Sequence, residues 1–238
     1  LSSISGGTDI ISCFALGNPL LPVYKGELQC LGLGMKVESF DKDGKSLINE
    51  KGELVCTQAF PSMPIYFWND KMGKKFNKAY FNTYTKYWHH GDYLKINEHG
   101  GVKIYGRSDT TLNPNGVRIG TSEIYQIIDR IPEIEDSLVV GQKWKNDERI
   151  ILFIKLCNNQ SLTQDFDNHI KKIIKESCTP RHVPSKIVQV DTIPYTMNGK
   201  KVELAVKQII ENKVVDNKES LSNPESLDYY KKICRLLI

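Results

Sequence analysis

The sequence lacks any long apolar run, and its longest, residues 150–154, is far shorter than the roughly 18 residues that a helix needs to cross a bilayer. It also lacks an excess of one charge, because 32 basic and 28 acidic residues are interleaved and leave a net charge of +4. No basic stripe therefore indicates a nucleic-acid partner. We expect neither a membrane span nor nucleic-acid binding from this chain.

The cysteines of the sequence form no recognisable motif. The six cysteines are scattered, with no C-x-x-C pair and no histidine pair nearby, so neither a zinc site nor a redox motif is supported. The first residues contain neither an initiator Met nor the basic-then-apolar run of an export signal. We therefore expect a reduced, cytoplasmic protein without disulfides, whose chain begins inside a longer one. The cysteines are Cys13, Cys30, Cys56, Cys157, Cys178 and Cys234.

What is present is ordinary globular composition. The chain has 238 residues, 40% hydrophobic and 25% charged, enough for one large domain or two small ones. Residues 1–105 contain short apolar or alternating runs between glycine-rich turns, which predicts a β-rich region. Residues 61–64 and 69–78 are typical of a long surface loop. From Gly106 onward strand and helix patterns alternate, which predicts a small α+β domain.

Two helices of that second region have clear periodicity. Ile124, Ile127, Ile128 and Ile131 recur at helical spacing after residues 121–123, and Pro132 then ends the pattern. A second helix is predicted after a capping box formed by Ser161 and Gln164. Strands are predicted at 137–141, 150–156 and 186–190, a further helix at 202–210, and a loosely held tail with a docking helix at its end.

The glycine pair near the start of the chain has two interpretations. Gly6 and Gly7 would let backbone amides approach an anion, Thr8 could contact phosphate, and Asp9 could hold Mg²⁺. Taken alone, a tight turn is the simpler explanation of the same residues. We keep both interpretations at this point.

A second polar motif is residues 89–92, His-His-Gly-Asp. Asp92 could accept hydrogen bonds from two neighbouring hydroxyls, as a ribose presents, or it could cap a turn. His89 and His90 are adjacent, so their side chains point to opposite faces of a strand. A shared metal ion is therefore disfavoured.

The most informative segment is residues 106–124, which carries three glycines, two arginines and an Asn-Pro-Asn-Gly turn between a strand and a helix. The planar guanidinium group of arginine can donate two parallel hydrogen bonds to a phosphate or a carboxylate. A hinge that contains several glycines lies between the two halves of the chain, and we expect a ligand cleft there.

Lys200 follows an Asn-Gly turn further along the chain. It is either a solvated residue at the tip of a hairpin or a mobile cation that neutralises an oxyanion.

Taken in order, these motifs resemble the later core motifs of the adenylate-forming enzymes, the superfamily of acyl-CoA synthetases, luciferases and peptide-synthetase adenylation domains. They are Gly-Gly-Thr-Asp at 6–9, Gly-Glu-Leu-Val at 52–55, His-Gly-Asp at 90–92, the 106–124 block and Asn-Gly-Lys at 198–200. Residues 17–19, 26–35, 60–64 and 112–121 are similar to the branch that activates acetoacetate. The resemblance covers nearly the whole chain.

The resemblance implies a fold and a reaction. Residues 1–108 would be the β-rich end of a large adenylate-forming domain, and residues 109–238 a small mobile α+β domain with a terminal tail. ATP and acetoacetate would give an acyl-adenylate and diphosphate, and CoA would then displace AMP. Another short-chain carboxylate as substrate, or a non-catalytic nucleotide-binding fragment, are the alternatives.

The resemblance also implies roles for individual residues. Thr8 would contact the AMP phosphate beside Gly6 and Gly7, and Asp9, where many relatives carry Glu, would help to hold Mg²⁺. Asp92 would bind the ribose hydroxyls, Arg107 would contact the nucleotide, and Asp109 would be the hinge. Gly116 and Arg118 would contact phosphate or CoA, and Lys200 would contact the carboxylate and the α-phosphate. A glycine at Gly6 would leave room for a longer acyl chain, unless backbone geometry requires it.

The sequence departs from the superfamily in its extent. The Ser/Thr/Gly-rich phosphate loop of such enzymes does not occur, and neither does G-x-x-x-x-G-K-[ST]. The chain is therefore expected to correspond to the C-terminal portion of such an enzyme, to lack ATP turnover alone, and to expose apolar surface that the missing N-terminal part would cover.

Overall fold

A computed structural model describes residues 2–157, 160–215, 218–233 and 237. The chain divides into two compact units, Leu1–Ser108 and Asp109–Ile238. The interpretation of these units as the end of a large domain and a mobile small domain remains a prediction. Within the described residues, no helix has the length and apolar character needed to cross a membrane.

The first unit is built from two antiparallel sheets. The strands are β1 Ser5–Gly7, β2 Ser12–Leu16, β3 Cys30–Leu31, β4 Val37–Phe40, β5 Ser46–Leu47, β6 Lys51–Cys56, β7 Trp88–Ile96 and β8 Val102–Arg107. Strands β1 to β3 form one sheet in that order, and the other has the order β5-β4-β6-β7-β8. The predicted β-rich character of this region is confirmed.

The core of the first unit is centred on Trp88. Its side chain is 2% exposed, and its ring stacks on Tyr80 with 3.6 Å between the ring centroids. Tyr80 comes from helix α1, Lys74–Tyr80. The predicted surface loop is therefore confirmed for 69–73 and wrong for 74–78. There, Phe76 and Tyr80, four residues apart, lie on one face of the helix and pack against Trp88.

The second unit packs helices on both faces of a three-stranded sheet. Its elements are α2 Thr121–Ile128, β9 Ile134–Trp144, β10 Asp147–Leu156, α3 Gln164–Ser177, β11 Lys186–Gln189, α4 Glu203–Ile210 and α5 Ser226–Ile233. The sheet has the order β11-β10-β9, and β10 pairs antiparallel with β9 and parallel with β11.

The apolar run of β10 is explained by cover on both faces. Leu152 and Ile154 pack with α2 and α3, whereas Ile151 and Phe153 pack with α4 and α5. Successive strand residues point to opposite faces, so a strand covered on both sides needs an unbroken apolar run. The predicted strands and helices of this region are present, with ends that differ by a few residues.

One detail of the second unit differs from expectation. Helix α3 is capped by Thr163, whose side chain accepts a hydrogen bond from the amide of Phe166, so the predicted capping box of Ser161 and Gln164 is wrong. The docking helix predicted at the end of the tail is present at Ser226–Ile233, and residues 234–236 and 238 lie outside the described residues. The described cysteines form no disulfide.

Leu152→Ala should destabilise the second unit by about 2–5 kcal/mol, since it empties a fully buried position of β10 in the cluster that includes α2 and α3. Leu204→Ala is the matched control, because Leu204 is 41% exposed and should cost less than about 1 kcal/mol. Urea unfolding followed by circular dichroism measures both. Equal losses for the two variants would contradict this description of the core.

Candidate functional site

The glycine pair lies inside a strand rather than in the tight turn that the sequence suggests. Gly6 and Gly7 belong to β1, and the chain turns at residues 8–11 before entering β2. A Cβ atom at Gly6 would lie 2.1 Å from the Ser12 carbonyl oxygen of β2. Backbone packing alone therefore requires glycine at Gly6, and the argument from acyl-pocket space gains no separate support.

Asp9 lies in this turn and is held by a side chain from far along the chain. The Tyr80 hydroxyl donates a hydrogen bond to Asp9 Oδ2, although the two residues are 71 positions apart. Burial, and then the neighbouring Asp9 carboxylate, raise the pKa of Tyr80 well above its ordinary value. Tyr80 therefore stays a neutral donor at physiological pH and restrains one oxygen of the Asp9 carboxylate. Thr8, beside Asp9, is exposed.

Strand pairing brings Asp92 and Arg107 together. The two residues are direct partners in the β7–β8 register. Arg107 Nη1 donates to the His90 carbonyl oxygen at 2.9 Å and lies 3.4 Å from Asp92 Oδ1. Gly91, at φ +80°, lies against the guanidinium, and a Cβ there would be 2.8 Å from Arg107 Nη2. Glycine at this position therefore lets the arginine cross the strand.

His90 connects this pair to the glycine strand. Its ring lies 4.7 Å from that of Phe14 between centroids, and a Cβ at Gly7 would be 2.8 Å from it. Trp88 Nε1 donates to His90 Nδ1 at 3.3 Å. Burial lowers the pKa of His90, and this outweighs the opposite effects of Asp92 and Asp9. His90 is therefore neutral at pH 7 and accepts a hydrogen bond through Nδ1.

The neighbouring His89 has a different partner. Its Nε2 lies 3.1 Å from Glu53 Oε2, and the Ser108 hydroxyl donates to the same oxygen. Glu53 is 8% exposed, so the histidine and the hydroxyl satisfy a buried carboxylate. Among the described residues, no group of three or more His, Cys, Asp or Glu side chains could hold a metal ion.

The first unit thus gathers Gly7, Asp9, Asp92 and Arg107 around His90, although the sequence separates them into three motifs. The site combines a close-packed glycine strand, two carboxylates and one guanidinium. Carboxylates accept hydrogen bonds from hydroxyls, and a guanidinium binds phosphate oxygens. This is the chemistry that a ribose phosphate needs.

The predicted residues of the second unit lie on a short turn and on two loops. Asp109 is exposed in a short 3₁₀ turn, Ser108–Thr110. Gly116, at φ +74°, and Arg118 lie on an exposed loop that the Leu112–Ile119 bridge closes. Gly116 lines an open cleft of about 690 Å³, together with Asn113 and the tip of the β9–β10 hairpin, residues 143–148.

Lys200 lies on the other loop, between Tyr195 and Lys201, which form an isolated bridge. Its amide donates to Thr196 Oγ1 at 3.1 Å, and Gly199, at φ +71°, makes the turn. The side chain of Lys200 is exposed. The geometry is that of a hairpin tip, which leaves its ammonium in solvent.

The sequence interpretation missed several polar residues of these sites. Tyr80, which holds Asp9, gives no local signal because it ends a short, lysine-rich helix just beyond the residues assigned to a loop. Asp136 and Lys201, which hold the Lys200 loop, are likewise inconspicuous in sequence. Their roles follow only from contacts between distant segments.

Comparison with known proteins identifies the chain's relatives. No protein-family model matches it. It is 52% identical over 230 residues to the acetoacetyl-coenzyme A synthetase of Rhizobium meliloti (strain 1021), and the match covers 97% of this chain and 35% of the relative. The acetoacetyl-CoA synthetase of Rattus norvegicus is 52% identical over 238 residues, with 99% of this chain and 35% of the relative covered. The chain is a homologue of the acetoacetyl-CoA synthetases.

A solved structure agrees. The acetoacetyl-CoA synthetase from Streptomyces lividans superposes with a TM-score of 0.93 at 42% identity, covering 100% of this chain and 36% of that one. The resemblance drawn from the motifs and the α+β fold class are both confirmed. The chain spans about 35% of the length of the acetoacetyl-CoA synthetases that it matches.

His90 should titrate below its ordinary value of 6.5, because burial disfavours the charged ring. Asp92→Asn should lower the midpoint further, since Asp92 favours the protonated form. Between the lowered pKa of His90 in the folded chain and its ordinary value of 6.5, the unfolded chain binds more protons than the folded one. The free energy of unfolding therefore decreases as pH falls through that range. Ring-proton NMR over pH 4–8 measures the midpoint, and a value at or above 6.5 would contradict the described burial.

Proposed function

We propose that this chain acts as part of an ATP-dependent acetoacetate–CoA ligase. The observation that carries the proposal is its 52% identity, over nearly its whole length, to acetoacetyl-CoA synthetases from a bacterium and a mammal. In the first step, acetoacetate attacks the α-phosphorus of ATP and displaces diphosphate. In the second, the CoA thiol attacks the acyl carbon and displaces AMP.

The nucleotide would be held by the site of the first unit. Asp92 would accept hydrogen bonds from both ribose hydroxyls, and Arg107 beside it would contact the nucleotide. Gly6, Gly7 and Thr8 would border the AMP phosphate. The 2.9 Å bond from Arg107 to the His90 carbonyl oxygen and the close packing of Gly7 support a preformed site, because few side chains would have to move on binding.

Asp9 is the proposed Mg²⁺ ligand. Magnesium in phosphate-transfer sites is commonly held by one or two carboxylates together with substrate phosphates and water. A single carboxylate, with one oxygen held by Tyr80, fits that requirement. When bound, the ion would neutralise charge on the triphosphate.

Lys200 is the proposed cation for adenylation. That step brings an anionic carboxylate toward an anionic triphosphate, so a positive charge near the α-phosphate lowers the barrier. Its exposed ammonium on a short turn supports this role. We further propose that Gly116 and Arg118 serve phosphate or CoA in the thioester step, and that Asp109 is the hinge at which the second unit moves.

The surface of the first unit supports its assignment to a larger domain. Large apolar side chains are strongly exposed there, with Leu33 at 95%, Ile65 at 88% and Trp68 at 84%. Extensive exposure of large apolar side chains is typical of surfaces that contact another protein segment. We propose that the remaining part of a full-length synthetase covers them.

The cytosol is the proposed compartment of the protein.

A chimera tests the activity. Residues 1–238 would replace the matching 35% of the rat acetoacetyl-CoA synthetase. The chimera should form acetoacetyl-CoA, AMP and diphosphate from acetoacetate, with the unmodified rat protein as control. A folded chimera that prefers butyrate, or that activates no carboxylate, would contradict the proposal.

Lys200→Ala in that chimera should lower adenylation, measured as acetoacetate-dependent ATP–diphosphate exchange, by roughly 10²–10³-fold, the scale of one preorganised oxyanion donor. Thioester formation from supplied acetoacetyl-adenylate should be largely spared, since the cation is needed at the α-phosphate only in the first step. Equal loss of both half-reactions would refute the role of Lys200.

A further inference from the structure

Both ends of the Lys200 loop are attached to a single carboxylate. Tyr195, which begins the loop, donates from its hydroxyl to Asp136 Oδ2 at 2.7 Å. Lys201, which ends it, places Nζ 2.9 Å from Asp136 Oδ1. Asp136 belongs to β9, so the anchor is part of the central sheet of the second unit. The two carboxylate oxygens thus hold the two ends of the loop separately.

Lys201 is fixed by further contacts. Its Nζ also donates to the Ser137 carbonyl oxygen at 2.7 Å and lies 4.5 Å from the centroid of the Tyr125 ring. Its side chain is 23% exposed. An ammonium with an ion pair, a carbonyl acceptor and an aromatic face has little freedom to move. Lys200, the next residue along the chain, is exposed.

The loop between these anchors is ordered by backbone bonds. The amide of Thr196 donates to the Lys200 carbonyl oxygen at 2.8 Å, and the amide of Gly199 donates to the Thr196 carbonyl oxygen at 2.9 Å. The amide of Tyr195 donates to Asn223 Oδ1 at 2.9 Å. The backbone that carries Lys200 is therefore held in one conformation, while its side chain extends into solvent.

We propose that Asp136, Tyr195 and Lys201 are positioning residues that hold the Lys200 loop in one conformation, so that the Lys200 ammonium reaches the α-phosphate without a prior ordering step. This inference rests on the proposed function of Lys200. Preorganisation of a charged group lowers the barrier because the group does not have to be ordered during the reaction. The two consecutive lysines then have different tasks: Lys201 fixes the backbone, and Lys200 contacts the substrate.

The first test uses the 238-residue chain itself. Lys201→Met keeps the aliphatic stem and removes the ion pair, and Tyr195→Phe removes one hydrogen bond with little change of shape. Both should increase the fast backbone motion of Gly199 and Lys200, measured by ¹⁵N relaxation, whereas Lys201→Arg should restore order. Lys175→Met, at an exposed position of α3, is the charge-matched control. Unchanged relaxation in both loop variants would overturn the anchoring.

The second test is a double-mutant cycle in the rat chimera. Lys201→Met should lower ATP–diphosphate exchange by about 10- to 10²-fold, because a displacement of about 1 Å can cost that much, and should largely spare thioester formation. In a Lys200→Ala background, the same substitution should have no further effect, since it acts through Lys200. Lys201→Arg should recover most of the exchange rate.

The outcomes separate the two proposals. If Lys201→Met lowers exchange equally with and without Lys200, its role is structural and the positioning proposal fails. If Lys200→Ala leaves exchange unchanged, the proposed function of Lys200 fails, and the positioning proposal fails with it even where the relaxation data show an ordered loop. A Tyr195→Phe variant with normal exchange but a mobile loop would likewise overturn the link between loop order and rate.

Discussion

The antiparallel pairing of β7 with β8 is the constraint on which the candidate nucleotide site depends. It places Asp92 directly opposite Arg107, on the strand whose His90 ring lies against Gly7. A register shift of one residue would move every side chain of the strand to the other face. The carboxylate and the guanidinium would then no longer share one surface. Gly91 permits this register because the arginine crosses the strand where a Cβ would stand.

Much of the second unit was predictable from sequence for a physical reason. Its strands and helices are long enough to show their period, and the apolar run of β10 reflects burial on both faces. Helix α1 was not predictable in this way. It has seven residues, three of them lysines, and its two aromatic side chains pack against Trp88, which lies in a distant strand. Short elements that depend on tertiary packing carry little local signal.

The candidate site was also only partly predictable from the sequence. Motif order indicated Thr8, Asp9, Asp92, Arg107 and Lys200, but not the residues that hold them. Tyr80 is 71 positions from Asp9, and Tyr195 is 59 from Asp136, so neither contact leaves a pattern in the sequence. The structure also changes the meaning of Gly6, since a close backbone contact in the β1–β2 hairpin requires glycine there. The Asn-Gly-Lys motif indicates Lys200, but nothing in the sequence indicates that Lys201 contacts Asp136.

The central claim is that these distant motifs meet to form a nucleotide site in the first unit. Titration of the ¹⁵N-labelled chain with AMP, followed by two-dimensional NMR, tests it most directly. The account predicts that the largest shifts lie at the amides of Gly7, Thr8, Asp92 and Arg107 and that Asp92→Asn weakens them. No saturable shifts at millimolar AMP, or shifts that are largest elsewhere and unaffected by that substitution, would contradict it.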